Sequence, residues 1–278
     1  MNLVTWGTSP WGQPIILHAA WSLLRVFLGL GLAFALAHAL WTRLRGHAPS
    51  AAVSAAAAAR IPECIKRHSL AARLFHWIMA AAVLILLATA FLPKMGLRFA
   101  WVDVHVAAGV ALLAAIVFHV VHAVCCMDFR AIWPIPADWV EVRDVMQGSG
   151  DNPPRAGKYP LGNKLYHLAI VVVGLAMAVT GLLMLWRVQN PLVSRDPYRF
   201  FDDTGWGVVY ALHGLAGICL VALVIIHVYF ALRPEKRSIT RSMLTGSMDR
   251  DFFLAHHDPE RWKVRMDSRT ATDGEVAQ

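Results

Sequence analysis

The chain has 278 residues, 57% of them hydrophobic and only 16% charged, with a formal charge of +8 at pH 7. A soluble domain of this length carries about a quarter charged residues, whereas here charge is kept out of several long apolar runs. That pattern excludes an ordinary water-soluble globular protein and points to an integral membrane protein.

In chain order, apolar runs long enough to cross the hydrocarbon as helices lie near 22–42, 71–92, 102–124, 165–186 and 207–232. The first carries Arg25 near its start, and the "WGQPIILHAAW" before it reads as a segment resting at the membrane interface. This region is too long, and too poor in early basic residues, for a simple secretory signal peptide. The expected organisation is a transmembrane helix within 1–45, an Ala-rich linker at 46–65, a helical core at 66–235 and a tail at 236–278.

Twenty Lys and Arg residues fall in the segments that are inside if the amino terminus is outside, against five in the opposite segments. This bias predicts a cytoplasmic carboxyl terminus, and it assigns the positive charge to topology, with no nucleic-acid patch. The tail can also meet anionic lipid headgroups. Trp41, Trp101, Trp133, Trp186 and Trp206 flank the runs, as interfacial anchors do. The four cysteines, Cys64, Cys125, Cys126 and Cys219, form no Cys-x-x-Cys pair and no Cys-x-x-Cys-His motif. Disulfides and covalently attached haem are therefore not expected.

The last run, "YALHGLAGICLVALVIIHVYFAL", holds His213 and His227 fourteen residues apart. Fourteen residues fall within ~40° of four full helical turns, so both rings project from nearly one face, about 21 Å apart along the axis. A buried imidazole needs a hydrogen bond or a metal. Two haems stacked across the bilayer, each held by histidines from two helices, would satisfy that need. His105 and His213 each have Gly four residues on, Gly109 and Gly217, and a missing side chain beside a ligand lets a flat macrocycle approach the backbone. The third and fifth runs are parallel, so His105 and His213 match in depth and are expected to hold an outer haem. His227 is one inner ligand. Spacing alone leaves both His76 and His119 open as its partner and favours His119, fourteen residues after His105. His122 and His167 lie near the same level.

For His18, His38 and His122 the plainer expectation is a protein or water hydrogen bond. His47, His68, His256 and His257 sit in polar flanks, where solvation or partner contact is expected, and the adjacent His256 and His257 make a poor metal pair. A haem-free proton-relay transporter is the reading from a different class, but broken helices and an internal repeat are not evident.

Four stretches then carry a family resemblance: "FHWIMA", "VHVAAGVAL", "GKYPLGNKLYHL" and "LHGLAGICLVALVIIHVYFAL". Together with the tail "KRSITRSMLTGSMDRDFFLAHHDPERW" they resemble the cytochrome b subunit of respiratory formate dehydrogenases over about residues 66–266. The resemblance implies an all-α integral membrane protein, a four-helix di-haem bundle with one extra amino-terminal transmembrane helix. It pairs His76 with His227 at the inner haem and His105 with His213 at the outer one, and it knows no ligand at the position of His119. It also implies partners: an iron–sulfur subunit and a molybdopterin subunit carrying molybdenum or tungsten on the outer face, in a complex open to higher oligomerisation, in a bacterial inner membrane. Electrons would reach menaquinone or ubiquinone near the cytoplasmic face, close to Tyr159, Gly162, Asn163 and His167. Formate oxidation itself would belong to the partner, and no residue of this chain is expected to be catalytic. Pro160 stands where the family has an Asn associated with quinone contact, and it offers neither a side-chain donor nor an N–H. Related cytochromes serve membrane hydrogenases and other molybdoenzymes, which is the alternative assignment.

Overall fold

The computed structural model describes residues 2–45, 61–147 and 155–262; most of the expected linker, at 46–60, and the last part of the tail lie outside the described residues. Five helices in it are long and apolar enough to cross a membrane. They are α1 (Ser22–Arg45), α2 (Leu70–Phe91), α3 (Trp101–Cys126), α5 (Leu161–Met184) and α6 (Asp203–Leu232), with a shorter α4 (Pro136–Gln147) between α3 and α5. Each is built from Leu, Ala, Val and Ile without an interior proline. Proline punctuates them instead: Pro93 follows α2, Pro160 precedes α5 and Pro234 follows α6. Large side chains such as Leu36, Val120, Val172 and Leu175 remain exposed on these helices, as lipid-facing surfaces require.

The chain divides into two compact units. The first comprises Met1–Arg45, Leu74–Met127 and Tyr166–Phe230. It opens with a feature absent from the sequence reading, an antiparallel hairpin of β1 (Val4–Thr8) and β2 (Pro14–Ala19). Val4 pairs with Ala19 and Thr8 with Pro14, with an irregularity between Thr5 and Trp6. The turn is tied by Ser9, whose Oγ accepts the N–H groups of Trp11 and Gln13. The hairpin seats on α6 at Gly207, where a Cβ would collide with the Ile16 carbonyl oxygen. Ala19, Ala20, Leu23 and Ile218 form the core beneath it, with Leu24 and Phe27 packed against them. Farther along, the His38 ring and the Tyr229 hydroxyl share a hydrogen bond of 2.9 Å between α1 and α6.

The second unit comprises Gly46–Arg73, Asp128–Leu165 and Ala231–Gln278. The tail does not trail away from the core. Its α7 (Arg237–Thr245), β4 (Ser247–Asp249) and α8 (Arg250–His256) fold back so that β4 pairs with β3 (Cys64–Lys66), which lies at the end of the expected linker. Ile65, Met248, Phe253, Leu254 and Trp262 form its buried core. Gly246 closes α7 at φ +90°, and its carbonyl accepts the N–H groups of Arg67 and His68. A side chain there would be strained by the left-handed backbone and would press on the His68 carbonyl. The helical reading therefore holds, apart from two short ribbons.

The close approach at Gly207 gives a direct test. Gly207→Val is expected to lift the hairpin from α6, seen as lost amide protection over residues 14–19. Gly29→Ala, where a Cβ meets nothing within 4 Å, should leave that protection unchanged.

Candidate functional site

Within the first unit the histidines of α2, α3, α5 and α6 meet in pairs. Near the carboxyl end of α2 and the amino end of α6, the rings of His105 and His213 have centroids 6.3 Å apart. At the other end of the same helices, His76 and His227 lie 6.1 Å apart. Two imidazoles on opposite sides of one iron have centroids about 6 Å apart, from iron–nitrogen bonds of about 2 Å and about 1 Å more to each ring centre. Both pairs fit that span. A Cβ on Gly217 would meet nothing within 4 Å, and one on Gly109 only Leu86 at 4.0 Å, so the helix faces beside the His105 and His213 rings carry the open space that a flat group needs.

His119 does not turn toward His227. Its ring stacks on Phe75 at 4.3 Å and stands 6.5 Å from His167. His122 stacks on Phe118. Helical spacing placed His119 at the right depth, but its side of the bundle is set by tertiary packing. His18 and His38 have the ordinary partners expected of them, the Ala19 carbonyl and the Tyr229 hydroxyl.

Three polar residues in this unit escaped the sequence reading. Thr89 Oγ1 lies 2.7 Å from Nδ1 of His105, and Thr180 Oγ1 lies 2.8 Å from Nδ1 of His213. Tyr166 stacks on His227 at 5.5 Å and donates its hydroxyl to the Leu223 carbonyl. The available signal was a hydroxyl group in an otherwise apolar run.

The quinone candidates are not gathered in one unit: His167 belongs to the first, and Tyr159, Gly162 and Asn163 to the second. Arg67 and Lys158 both approach the Tyr159 ring, at 6.0 and 5.5 Å. Gly162 and Asn163 are exposed in the first turn of α5, with the Asn163 N–H bonded to the Pro160 carbonyl. Pro160 thus acts as a helix start. The stretch is anchored by residues that sequence reasoning passed over. Asp138, fully buried, takes Lys164 Nζ at 2.7 Å and the Ile135 N–H at 2.8 Å on one oxygen, and Arg261 at 3.0 Å on the other. Burial pushes its carboxyl up, but these hydrogen bonds outweigh burial and hold it below the usual carboxylate range.

His257 corrects an expectation. It is not a solvated flank residue but 1% exposed, because the tail folds back on the second unit. Its Nδ1–H donates to the Gly157 carbonyl at 2.8 Å, and its Nε2 faces the Arg67 guanidinium at 3.5 Å. Trp262 and Phe253 cover the ring.

Residues 67–246 match the model of the prokaryotic cytochrome b561 family. The chain belongs to that family. This makes it a b-type membrane cytochrome of electron transport with several membrane passes. It is also 28% identical, over 125 residues, to the cytochrome b556(Fdn) subunit of the nitrate-inducible formate dehydrogenase of Escherichia coli K12, covering 44% of this chain and 51% of the relative. The same figures hold for the counterparts in Escherichia coli O157:H7 and Shigella flexneri. The chain thus spans about half the length of the curated relatives it matches, and the formate dehydrogenase resemblance is borne out at that level.

His257 sets a pH dependence for the segment around Gly157. Burial, opposed by the Gly157 hydrogen bond and reinforced by Arg67, His256 and Lys236, lowers its pKa to about 4. An unfolded histidine titrates near 6.5, so the second unit keeps its full stability above about pH 6.5. It loses on the order of 3 kcal/mol as the pH falls toward 4. Hydrogen exchange over residues 247–257, corrected for intrinsic rates, should show this decline, and His257→Gln should flatten it. A constant opening free energy in the wild type would contradict the assignment.

Proposed function

We propose that this cytochrome is the membrane-anchor subunit of a formate dehydrogenase-type complex, receiving electrons from an iron–sulfur subunit on the outer face and delivering them to a quinone near the cytoplasmic face. The observation that carries the reading is the presence of two histidine pairs, 6.3 and 6.1 Å apart, at opposite ends of the same helices. His105 and His213 would ligate an outer haem b, and His76 and His227 an inner one. Two haem b groups would supply one-electron redox chemistry at two depths in the bilayer.

The chain's own residues supply the rest. α3 and α6 present the outer ligands, α2 and α6 the inner ones, and Gly109 and Gly217 leave room beside the outer rings. The pairing of His119 with His167 supports His76 over His119 as the inner ligand. The excess of basic residues in the inner segments supports an outside amino terminus. A quinone reduced near the cytoplasmic face would draw its two protons from the cytoplasm, so that turnover builds proton-motive force. The molybdopterin subunit, carrying molybdenum or tungsten, would oxidise formate. The 28% identity to the Fdn cytochrome subunit favours this partner over a hydrogenase.

Pyridine haemochrome analysis of the purified chain tests the ligands. Two haem b per chain are expected in the wild type and in His119→Ala, and one in each of His76→Ala, His105→Ala and His213→Ala. Loss in His119→Ala but not in His76→Ala would move the inner ligand to α3. A folded wild type without haem would overturn the reading and leave a histidine proton relay in its place.

A further inference from the structure

Thr89 and Thr180 are related in a way that the ligand assignment alone does not require. Each is a hydroxyl in the apolar later part of its helix, Thr89 on α2 and Thr180 on α5, and each is buried. Each Oγ1 contacts Nδ1 of one outer histidine, at 2.7 Å for His105 and 2.8 Å for His213. Each also reaches back to the carbonyl four residues earlier, Thr89 to Ile85 at 2.8 Å and Thr180 to Ala176 at 2.5 Å.

A hydroxyl has one proton and two lone pairs. A carbonyl can only accept, so the bond to Ile85 or Ala176 uses the threonine proton. Inside a membrane span no water competes for it, and back-bonding of this kind is the usual arrangement for a helical threonine. With its proton committed, Oγ1 can only accept from the imidazole, and the contact must be Nδ1–H donating to oxygen. A neutral imidazole has a single N–H. Both rings are then held in the tautomer with a bare Nε2, the form a metal needs. The opposite arrangement would give up two carbonyl hydrogen bonds and would put a proton on each Nε2.

We propose that Thr89 and Thr180 are positioning residues that lock the tautomer of the outer histidine pair and raise the basicity of both rings. The proposal rests on the reading of His105 and His213 as iron ligands. It concerns the outer pair alone: among the described residues, no hydrogen bond reaches a ring nitrogen of His76 or His227, whose neighbours are the rings of Trp77 and Tyr166. A histidine that donates its second N–H is a stronger electron donor to its metal. This favours the ferric state and lowers the outer midpoint potential, leaving the inner centre the better acceptor. The order suits electrons that enter from outside.

The test is an equilibrium redox titration of the full chain in its native complex, followed at the haem α-band, with haem content measured alongside. Thr89→Val and Thr180→Val keep the shape and remove the acceptor, while Thr89→Ser and Thr180→Ser keep the hydroxyl. Each Val variant is expected to move one of the two midpoints to a more positive value, or to weaken retention of one haem by about 10- to 100-fold. Each Ser variant should behave as wild type. Unchanged midpoints and haem content in the Val variants would overturn the tautomer lock, as would Ser variants shifted as far as their Val counterparts, and both results would leave the ligand reading standing. A wild type with no haem, or a His105→Ala variant that still holds two, would instead show that the ligand reading itself has failed and the lock with it.

Discussion

An imidazole inside an apolar helix must place both of its ring nitrogens, and this requirement organises the first unit. Leaving a buried polar group unsatisfied costs roughly 1–3 kcal/mol, and the bilayer interior offers no water to make up the loss. His18 and His38 each have a protein partner at Nδ1, a carbonyl and a tyrosine hydroxyl. His105 and His213 meet threonines at Nδ1, and their rings stand 6.3 Å apart. These two kinds of histidine cannot be told apart by hydrophobicity. They differ in whether a second imidazole stands about 6 Å away on a facing helix, which is a property of tertiary packing.

The second unit depends on a different form of the same constraint. Asp138 is fully buried between two cations, and the removal of its charge would leave both of them without compensation in a low dielectric, which is the case in which buried ion pairs matter most. Through Lys164 it holds the first turn of α5, and through Arg261 it holds the tail. Arg67 solves its burial differently. Among the described residues it meets no carboxylate, and its guanidinium lies against the Trp262 ring at 5.4 Å, with His68, His257 and the Met248 sulfur within hydrogen-bonding reach. Burial lowers its pKa, and Tyr159 partly opposes that shift. A neutral His257 is part of this solution, since a second cation at 3.5 Å would be repelled. The cluster therefore ties Gly157 and Tyr159 to the tail through charge balance as much as through apolar contact.

Much of this was legible in the sequence because membrane helices announce themselves by length and by the absence of charge. The five expected runs agree with the helices to within a few residues, and the fourteen-residue interval in α6 sets His213 and His227 beside different histidines, His105 and His76, at opposite ends of the bundle. What spacing could not supply is azimuth relative to a neighbouring helix. His76 and His119 were both plausible partners for His227, and the bundle sets His119 against Phe75 and His167 instead. The hairpin at 4–19 was missed because its strands are short and their apolar residues cover α6 on one side only, so that "WGQPIILHAAW" reads equally well as an interfacial segment. The buried state of His257 was missed because it depends on β3 pairing with β4, strands about 180 residues apart in the chain.

The two ends of the first unit are built from similar pairs but supported by different chemistry. At the His105–His213 end, two hydroxyls contact the rings at Nδ1 and so act on the electron density of the nitrogens. At the His76–His227 end, Tyr166 lies against the face of His227, at an interplanar angle of 23°, where it fixes orientation and excludes other groups but offers no hydrogen bond to the ring. Its own hydroxyl is held by the Leu223 carbonyl one turn before His227, so the aromatic ring is itself anchored to the helix that carries the histidine. An in-plane hydrogen bond tunes a ligand, whereas a stacked ring positions it. The two ends of the bundle are therefore chemically unequal although each carries the same kind of histidine pair, one held at its ring nitrogens and the other at a ring face.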